Sequence, residues 1–169
     1  MFYTTSQYSR AVYGCDCLSI KIPYFKQESW YTCGPACLRM VLAFFGIART
    51  EAEVMKECDT TELGTTTVKI STAAYKFGLK SSSLKNANIE DIKNELRKGR
   101  PVIVLIDPSY LYGGISGFGH FIVIVGLSDE EIIYHDPDVP QGKYMHSKNI
   151  TFQNAWEVTR CWMISMEKE

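Results

Sequence analysis

The chain has no long hydrophobic run. Its longest unbroken apolar stretches, such as Val102–Ile106 and Phe121–Val125, fall far short of the roughly 20 residues a membrane-spanning helix needs. It also has no excess of charge of one sign. Lys and Arg together number 18 and Asp and Glu 19, a formal net charge of -1. That excludes the basic field of a nucleic-acid or acidic-membrane binder. The opening Met1-Phe2-Tyr3-Thr4-Thr5-Ser6-Gln7-Tyr8-Ser9-Arg10 lacks a basic segment followed by an apolar one, so no secretory signal is visible. No C-terminal lipidation box is present either. The expectation is a cytoplasmic protein with reduced thiols. Histidine is scarce, with three in the chain, so imidazole chemistry has few candidates. Cysteine is richer, with six in 169 residues. That is still well below the density of a disulfide scaffold, and a chain of this length buries a core without staples. The thiols therefore call for another account.

Local patterns divide the chain into a lead-in, residues 1–18, and a single domain, residues 19–169. The first half of the domain reads helical. Cys33 to Phe45 is apolar at helical spacing, with Pro35 near its start and Gly46 past its end. Thr50-Glu51-Ala52-Glu53 is a capping-box pattern that opens a short helix. Val68 to Phe77 is closed by Gly78, and Ile89 to Lys98 is capped by Asn88 and closed by Gly99. The second half switches to strands at Pro101–Asp107, Phe121–Leu127 and Glu131–Asp136. A short helix around Asn154–Val158 and a last strand, Cys161–Met166, follow. Helices first and strands second predict an α+β fold with a helical lobe and an antiparallel sheet lobe.

Cys33 stands where a loop enters the first helix, in Trp30-Tyr31-Thr32-Cys33-Gly34-Pro35. The unpaired N–H groups and positive dipole end of a helix start favour a thiolate, which is a nucleophile. A base is found by elimination. His146 lies in a polar stretch and reads as exposed, and His135 reads as structural. His120 opens a strand directly after a Gly-rich loop ending at Gly119. A hairpin centred on Ser128 pairs His120 with Asp136 across the ladder, where a carboxylate orients an imidazole. A slip of one residue would put the two on opposite faces. The backbone N–H of Cys33 and the amide of Gln27 are candidate donors to a developing oxyanion. Trp30, Tyr31 and Gly119, next to these residues, are candidate substrate-binding positions.

Ile22-Pro23-Tyr24-Phe25-Lys26-Gln27 followed by Cys33-Gly34-Pro35-Ala36-Cys37-Leu38 resembles the opening of C39 cysteine peptidases. These are papain-like domains that remove double-glycine leader peptides. Gly119-His120-Phe121-Ile122-Val123-Ile124-Val125-Gly126 resembles that family's histidine strand, and Asp136-Pro137 its aspartate. The resemblance covers about Ile20 to Ile164. It implies a papain-like fold, a peptide or protein substrate, no cofactor, and Gln27, Cys33, His120 and Asp136 as oxyanion donor, nucleophile, base and orienting carboxylate. The family's best-known members are fused to a transporter. Here the resemblance implies a free-standing domain, with a separate transporter or another partner left open.

Three other readings stand beside it. The same cysteine serves an acyltransferase or transpeptidase if an amine replaces water. A C39-like domain can also hold a peptide without cutting it. A metal site would draw on Cys15, Cys17, Cys33 and Cys37 with His120 or His135 as partners, although the spacing fits no standard zinc pattern. Cys37, Cys58 and Cys161 read as small packing residues. The stretch from Asp107 to Gly119 is long and rich in Gly and Tyr, and reads as a lid or as a solvated insertion.

Overall fold

Helix α1 (Cys33–Phe44) is the central helix of the computed structural model, which describes residues 17–169. The lead-in up to residue 16, including Cys15, lies outside the described residues. Leu38, Val41 and Leu42 of α1 are fully buried, and Gly46, at φ +79°, lets the chain leave the helix sharply. Helix α2 (Glu51–Glu57) starts in the expected capping box: Glu53 N–H donates to Thr50 Oγ1, and Thr50 N–H donates to Glu53 Oε2. In α3 (Thr67–Lys76) the Thr66 hydroxyl accepts from Lys69 N–H. In α4 (Ile89–Arg97) Asn88 and Asp91 form a second reciprocal cap. Each start follows from a short polar side chain satisfying N–H groups that the helix cannot.

The sheet is built from β1 (Leu18–Ser19), β2 (Leu79–Leu84), β3 (Val102–Ile106), β4 (His120–Leu127), β5 (Glu131–His135), β6 (Met145–Lys148) and β7 (Met163–Lys168). Its order is β2-β7-β3-β4-β5-β6, with β1 pairing β4, and every pair is antiparallel. Central β4 is buried along its whole length. Strand β2, Leu-Lys-Ser-Ser-Ser-Leu, and β6, Met-His-Ser-Lys, carry too few apolar residues to show a period. Both are edge strands, where solvent permits such residues. Helices α1 to α3 pack together, and α1 lies on β4. Among the described residues, no helix is long and apolar enough to cross a membrane.

Three local expectations shift. Helix α6 (Asn149–Glu157) begins earlier than Asn154, through Ile150 and Thr151, β-branched residues of modest helix propensity. The last strand begins at Met163 rather than Cys161, because Arg160 and Cys161 take φ values of +65° and +47° in a turn. That turn is held by Cys161 N–H on the Trp156 carbonyl at 3.0 Å. The segment between β3 and β4 contains one helical turn, α5 (Ser109–Tyr112).

The β4–β5 hairpin departs from the expected register. Leu127 pairs with Ile132 and Gly126 with Ile133, after which Ile124 pairs with Tyr134 and Val123 with His135. Val125 is an extra residue, a β-bulge. Continuing the register places Asp136 opposite Ile122, so His120 is not its direct partner. The turn is centred between Asp129 and Glu130 instead of on Ser128, with Ser128 N–H bonding the Glu131 carbonyl at 2.8 Å. His120 and Ile122 share a face of β4, and Asp136 therefore meets His120 on the diagonal.

Candidate active site

Cys33 is the first residue of α1 and is partly exposed. Thr32 precedes it but does not cap the helix. Its hydroxyl turns back into the loop, donating to the Ser29 carbonyl at 2.8 Å and accepting from Ser29 N–H at 3.1 Å. The helix start is thus left without a side-chain cap beside the thiol. Two contacts tie this end of α1 to β4. The Cys37 thiol, one turn on, donates to the Phe121 carbonyl at 3.3 Å. A Cβ on Gly34 would sit 3.4 Å from the Phe121 ring and 3.1 Å from Ile70, so a glycine there lets helix and strand approach closely. Phe121 is the neighbour of His120, and the approach brings Cys33 to the imidazole.

His120 Nε2 donates to Asp136 Oδ1 at 2.7 Å, and both residues are buried. The Cys33 thiol lies near enough to the same ring to favour its charged form, and Nδ1 is the nitrogen left to face it. Burial by itself disfavours the imidazolium. The hydrogen bond to Asp136, the nearby Cys33 thiol and the charges of both outweigh it and push the His120 pKa up to about 10. Asp136 shows the mirror image. Its burial favours the neutral acid, but His120, the Tyr112 hydroxyl and the Asp138 N–H hold its carboxyl below the usual range. Its Oδ1 accepts from Asp138 N–H at 2.9 Å as well as from His120, and its Oδ2 accepts from the Tyr112 hydroxyl at 2.7 Å.

Gln27 is buried in the loop that leads to α1. Its backbone N–H donates to the Pro137 carbonyl at 2.9 Å, and its Nε2 donates to Asp138 Oδ1 at 3.0 Å. The carboxylate fixes the amide orientation, since the reverse would set two acceptors against each other. One amide hydrogen is thereby spoken for and one remains. The same loop is braced from below by Glu51, whose Oε1 accepts from Glu28 N–H at 2.9 Å. Glu51 is fully buried, which pushes its carboxyl up.

Trp30 is 77% exposed and stands edge-on to Tyr31, with ring centroids 5.3 Å apart. Gly119 is exposed, and a Cβ there would lie 3.0 Å from Leu105. Gly119 immediately precedes His120 in the chain, and Trp30 stands in the loop that leads to Cys33. His135 lies apart from the site: its Nδ1 accepts from Tyr144 N–H at 3.0 Å and its Nε2 donates to the Ile22 carbonyl at 2.9 Å. Both nitrogens are thus used, and burial holds its pKa down. His146 is exposed beside Glu131. Cys17, Cys33, Cys37, Cys58 and Cys161 are free thiols. Among the described residues, no cluster of three or more His, Cys, Asp or Glu side chains is placed to hold a metal ion. The sequence reading did not single out Tyr134, Asp138 or the individual role of Tyr112. Asp138 stands two residues beyond Asp136 in Asp-Pro-Asp, a pattern that marks a turn and gives no sign of a contact with Gln27.

A thiol at a helix start, an imidazole and a buried carboxylate on a papain-like α+β fold define the class. Residues 19–164 match the Peptidase_C39 like family, and the chain belongs to that family. An uncharacterized protein of Methanothermobacter thermautotrophicus is 33% identical over 111 residues, which is 66% of this chain and 68% of that one. Among solved structures, the peptidase domain of Streptococcus ComA, a bi-functional ABC transporter of a quorum-sensing pathway, is 28% identical with a TM-score of 0.72, covering 88% of this chain and 98% of that one. A double-glycine motif protease from an AMS/PCAT transporter, solved with its leader peptide, shares the fold at 20% identity and a TM-score of 0.68, covering 89% and 94% of the two chains.

Proposed function

We propose that this protein is a cysteine peptidase of the C39 type that hydrolyses a peptide bond through Cys33, His120 and Asp136. The observation that carries the reading is the placement of His120 between a buried carboxylate at 2.7 Å and the thiol at the start of α1. The Cys33 thiolate attacks the scissile carbonyl carbon, and a C–S bond forms. The oxygen becomes an oxyanion, which the Cys33 N–H and the remaining amide hydrogen of Gln27 stabilise. The His120 imidazolium gives its proton to the leaving nitrogen as the C–N bond breaks. Water then adds to the thioester, His120 takes a proton from it, and the C–S bond breaks to release the acid. Asp136 keeps the imidazole turned toward Cys33 and stabilises its charged form. The solved protease that holds a leader peptide on the same fold supports a peptide substrate for this reading, and a Gly-Gly-type leader is the first to try. Trp30 and Tyr31 would border it.

The test is a peptide-library digest with wild type and Cys33→Ala, read by mass spectrometry. The expected result is a set of cleavages lost in Cys33→Ala. Cleavage that survives in the variant overturns the reading, and products joined to an added amine turn it into acyl transfer.

A further inference from the structure

The segment between β3 and β4 is held by one side chain. Asp107, buried at the end of β3, accepts at Oδ1 from Ser109 N–H at 3.0 Å and from the Ser109 hydroxyl at 2.7 Å. Its Oδ2 accepts from Gly117 N–H at 2.7 Å. Both ends of the segment are therefore pinned to the same carboxylate. Between them, Tyr112 N–H bonds the Pro108 carbonyl at 3.0 Å and Gly113 N–H the Ser109 carbonyl at 2.8 Å, which closes the single turn of α5. The chain leaves that turn through Gly113 at φ +76°. Tyr112 is 44% exposed, but its hydroxyl reaches inward. It lies 2.7 Å from Asp136 Oδ2 and 3.0 Å from the Tyr134 hydroxyl.

We propose that Tyr112 is a positioning residue, whose hydroxyl holds Asp136 Oδ2 so that Oδ1 faces His120. The proposal rests on Cys33, His120 and Asp136 being the reacting groups. A tyrosine hydroxyl has one hydrogen, and an ionised carboxylate has none. Tyr112 therefore donates to Asp136, and Tyr134 donates to Tyr112. The first of these bonds is charge-assisted and the stronger of the two. Burial and the Asp136 charge push the Tyr112 hydroxyl up, so it stays a donor across the working range. Without it, the carboxylate is held at Oδ1 alone, by His120 and the Asp138 N–H, and is free to swing about its side-chain torsion. The segment that ends at His120 thus also carries the group that aligns His120's partner.

Other groups face Asp136, and none of them replaces that bond. His120 comes from β4, Tyr134 from β5, and Asp138 from the following turn. Tyr24 donates to the Asp136 backbone carbonyl. Cys33 and Cys37 approach from α1. Tyr112→Phe keeps the ring and removes only the donor. The carboxylate then holds its charge less well, takes up a proton at higher pH, and the thiolate–imidazolium pair collapses there.

The experiment follows iodoacetamide alkylation of Cys33 from pH 4 to 10 by peptide mass mapping, alongside kcat and KM on a peptide the wild type cleaves. In Tyr112→Phe the acid limb moves up by about one pH unit, a tenfold loss at the foot of the limb. The kcat falls on the order of tenfold with KM unchanged, the scale of one hydrogen bond to a charged group. Ser109→Ala, which loosens the turn and leaves the hydroxyl in place, shifts the limb less, in the same direction. A wild-type acid limb in both variants overturns the proposal. So does a raised KM with kcat kept, which would make Tyr112 a substrate contact. A wild-type Cys33 whose alkylation follows the same curve as Cys33 in His120→Ala instead overturns the triad itself, and the two failures are told apart by that control.

Discussion

Replacing Asp136 with Asn removes a charge from the site and leaves its hydrogen bonds nearly intact. The Asn oxygen can take the place of Oδ1, accepting from His120 Nε2 and Asp138 N–H. The new NH₂ then faces Tyr112, whose hydroxyl rotates to accept. What changes is the field at His120. Its pKa rises from 6.5 to about 10 in the folded protein, roughly 5 kcal/mol of preference for the imidazolium at 1.36 kcal/mol per pH unit. Burial works against that preference, and the Asp136 carboxylate is foremost among the groups that reverse it. With Asn in its place, His120 titrates well below the wild type, toward or below its ordinary value. The direct assay is the His120 Cε1–H resonance followed over pH 5 to 11. The same experiment has a stability arm. A proton bound more tightly in the folded state stabilises fully below the unfolded pKa near 6.5, and that stability is lost as pH rises through about 10. Wild type should therefore lose stability between pH 7 and 10 more steeply than Asp136→Asn does. Peptidase activity at pH 7 should fall by about 10²- to 10⁴-fold, the range that general acid–base catalysis supplies. A His120 titration that stays within half a pH unit of wild type in Asp136→Asn would refute the argument.

Other perturbations test separate parts of the site. Asp138→Ala frees the Gln27 amide to rotate, since its carboxylate holds Nε2 at 3.0 Å; kcat should fall on the order of tenfold with little change in KM, the signature of a lost transition-state contact. Gly126→Val puts a Cβ 3.0 Å from the Leu18 carbonyl and 3.2 Å from Ile133, and should cost about 1–3 kcal/mol in denaturant unfolding. Glu51 binds its proton more tightly when folded, because burial raises its pKa above 4.5. The folded state then carries more protons than the unfolded one, and stability falls as pH rises through the folded value. Glu51→Gln removes that slope, so its melting temperature should gain on wild type from pH 5 to 8.

Most of the helices were legible because their ends carry local chemistry. Thr50 with Glu53, and Asn88 with Asp91, cap their helices by side chains a few residues away, and a reader of the chain has all the participants in view. The same holds for Cys33, whose place at a helix start is set by Gly34 and Pro35. The edge strands β2 and β6 were not legible. Their hydrogen bonds come from β7 and β5, distant in sequence, and their exposed faces ask for no apolar period. Tyr112 was hidden for the same reason: its partner Asp136 lies 24 residues on. In the sequence it was one tyrosine in a Gly-rich stretch.

The pairing of His120 with Asp136 is the instructive case, because the expected partners meet for a different reason. A regular hairpin in the register that leaves the turn, with Leu127 on Ile132 and Gly126 on Ile133, would bring Asp136 opposite Val123. Side chains alternate along a strand, so Asp136 would then lie on the face away from His120. The extra residue at Val125 moves the count by one, sets Asp136 opposite Ile122, and returns it to the face of His120. The glycine beside the bulge keeps the local backbone close to β1, with the Leu18 carbonyl where a side chain would stand. The orienting carboxylate thus depends on Val125 standing outside the ladder instead of pairing with Tyr134. Deleting Val125 joins Ile124 directly to Gly126, so the ladder becomes regular with Tyr134 still opposite Ile124 and Asp136 still opposite Ile122, and Asp136 should stay on the face of His120. The His120 pKa should then stay near 10 in a deletion variant that folds, unlike in Asp136→Asn, and a fall toward its buried, unpartnered value would show that this register does not set the site.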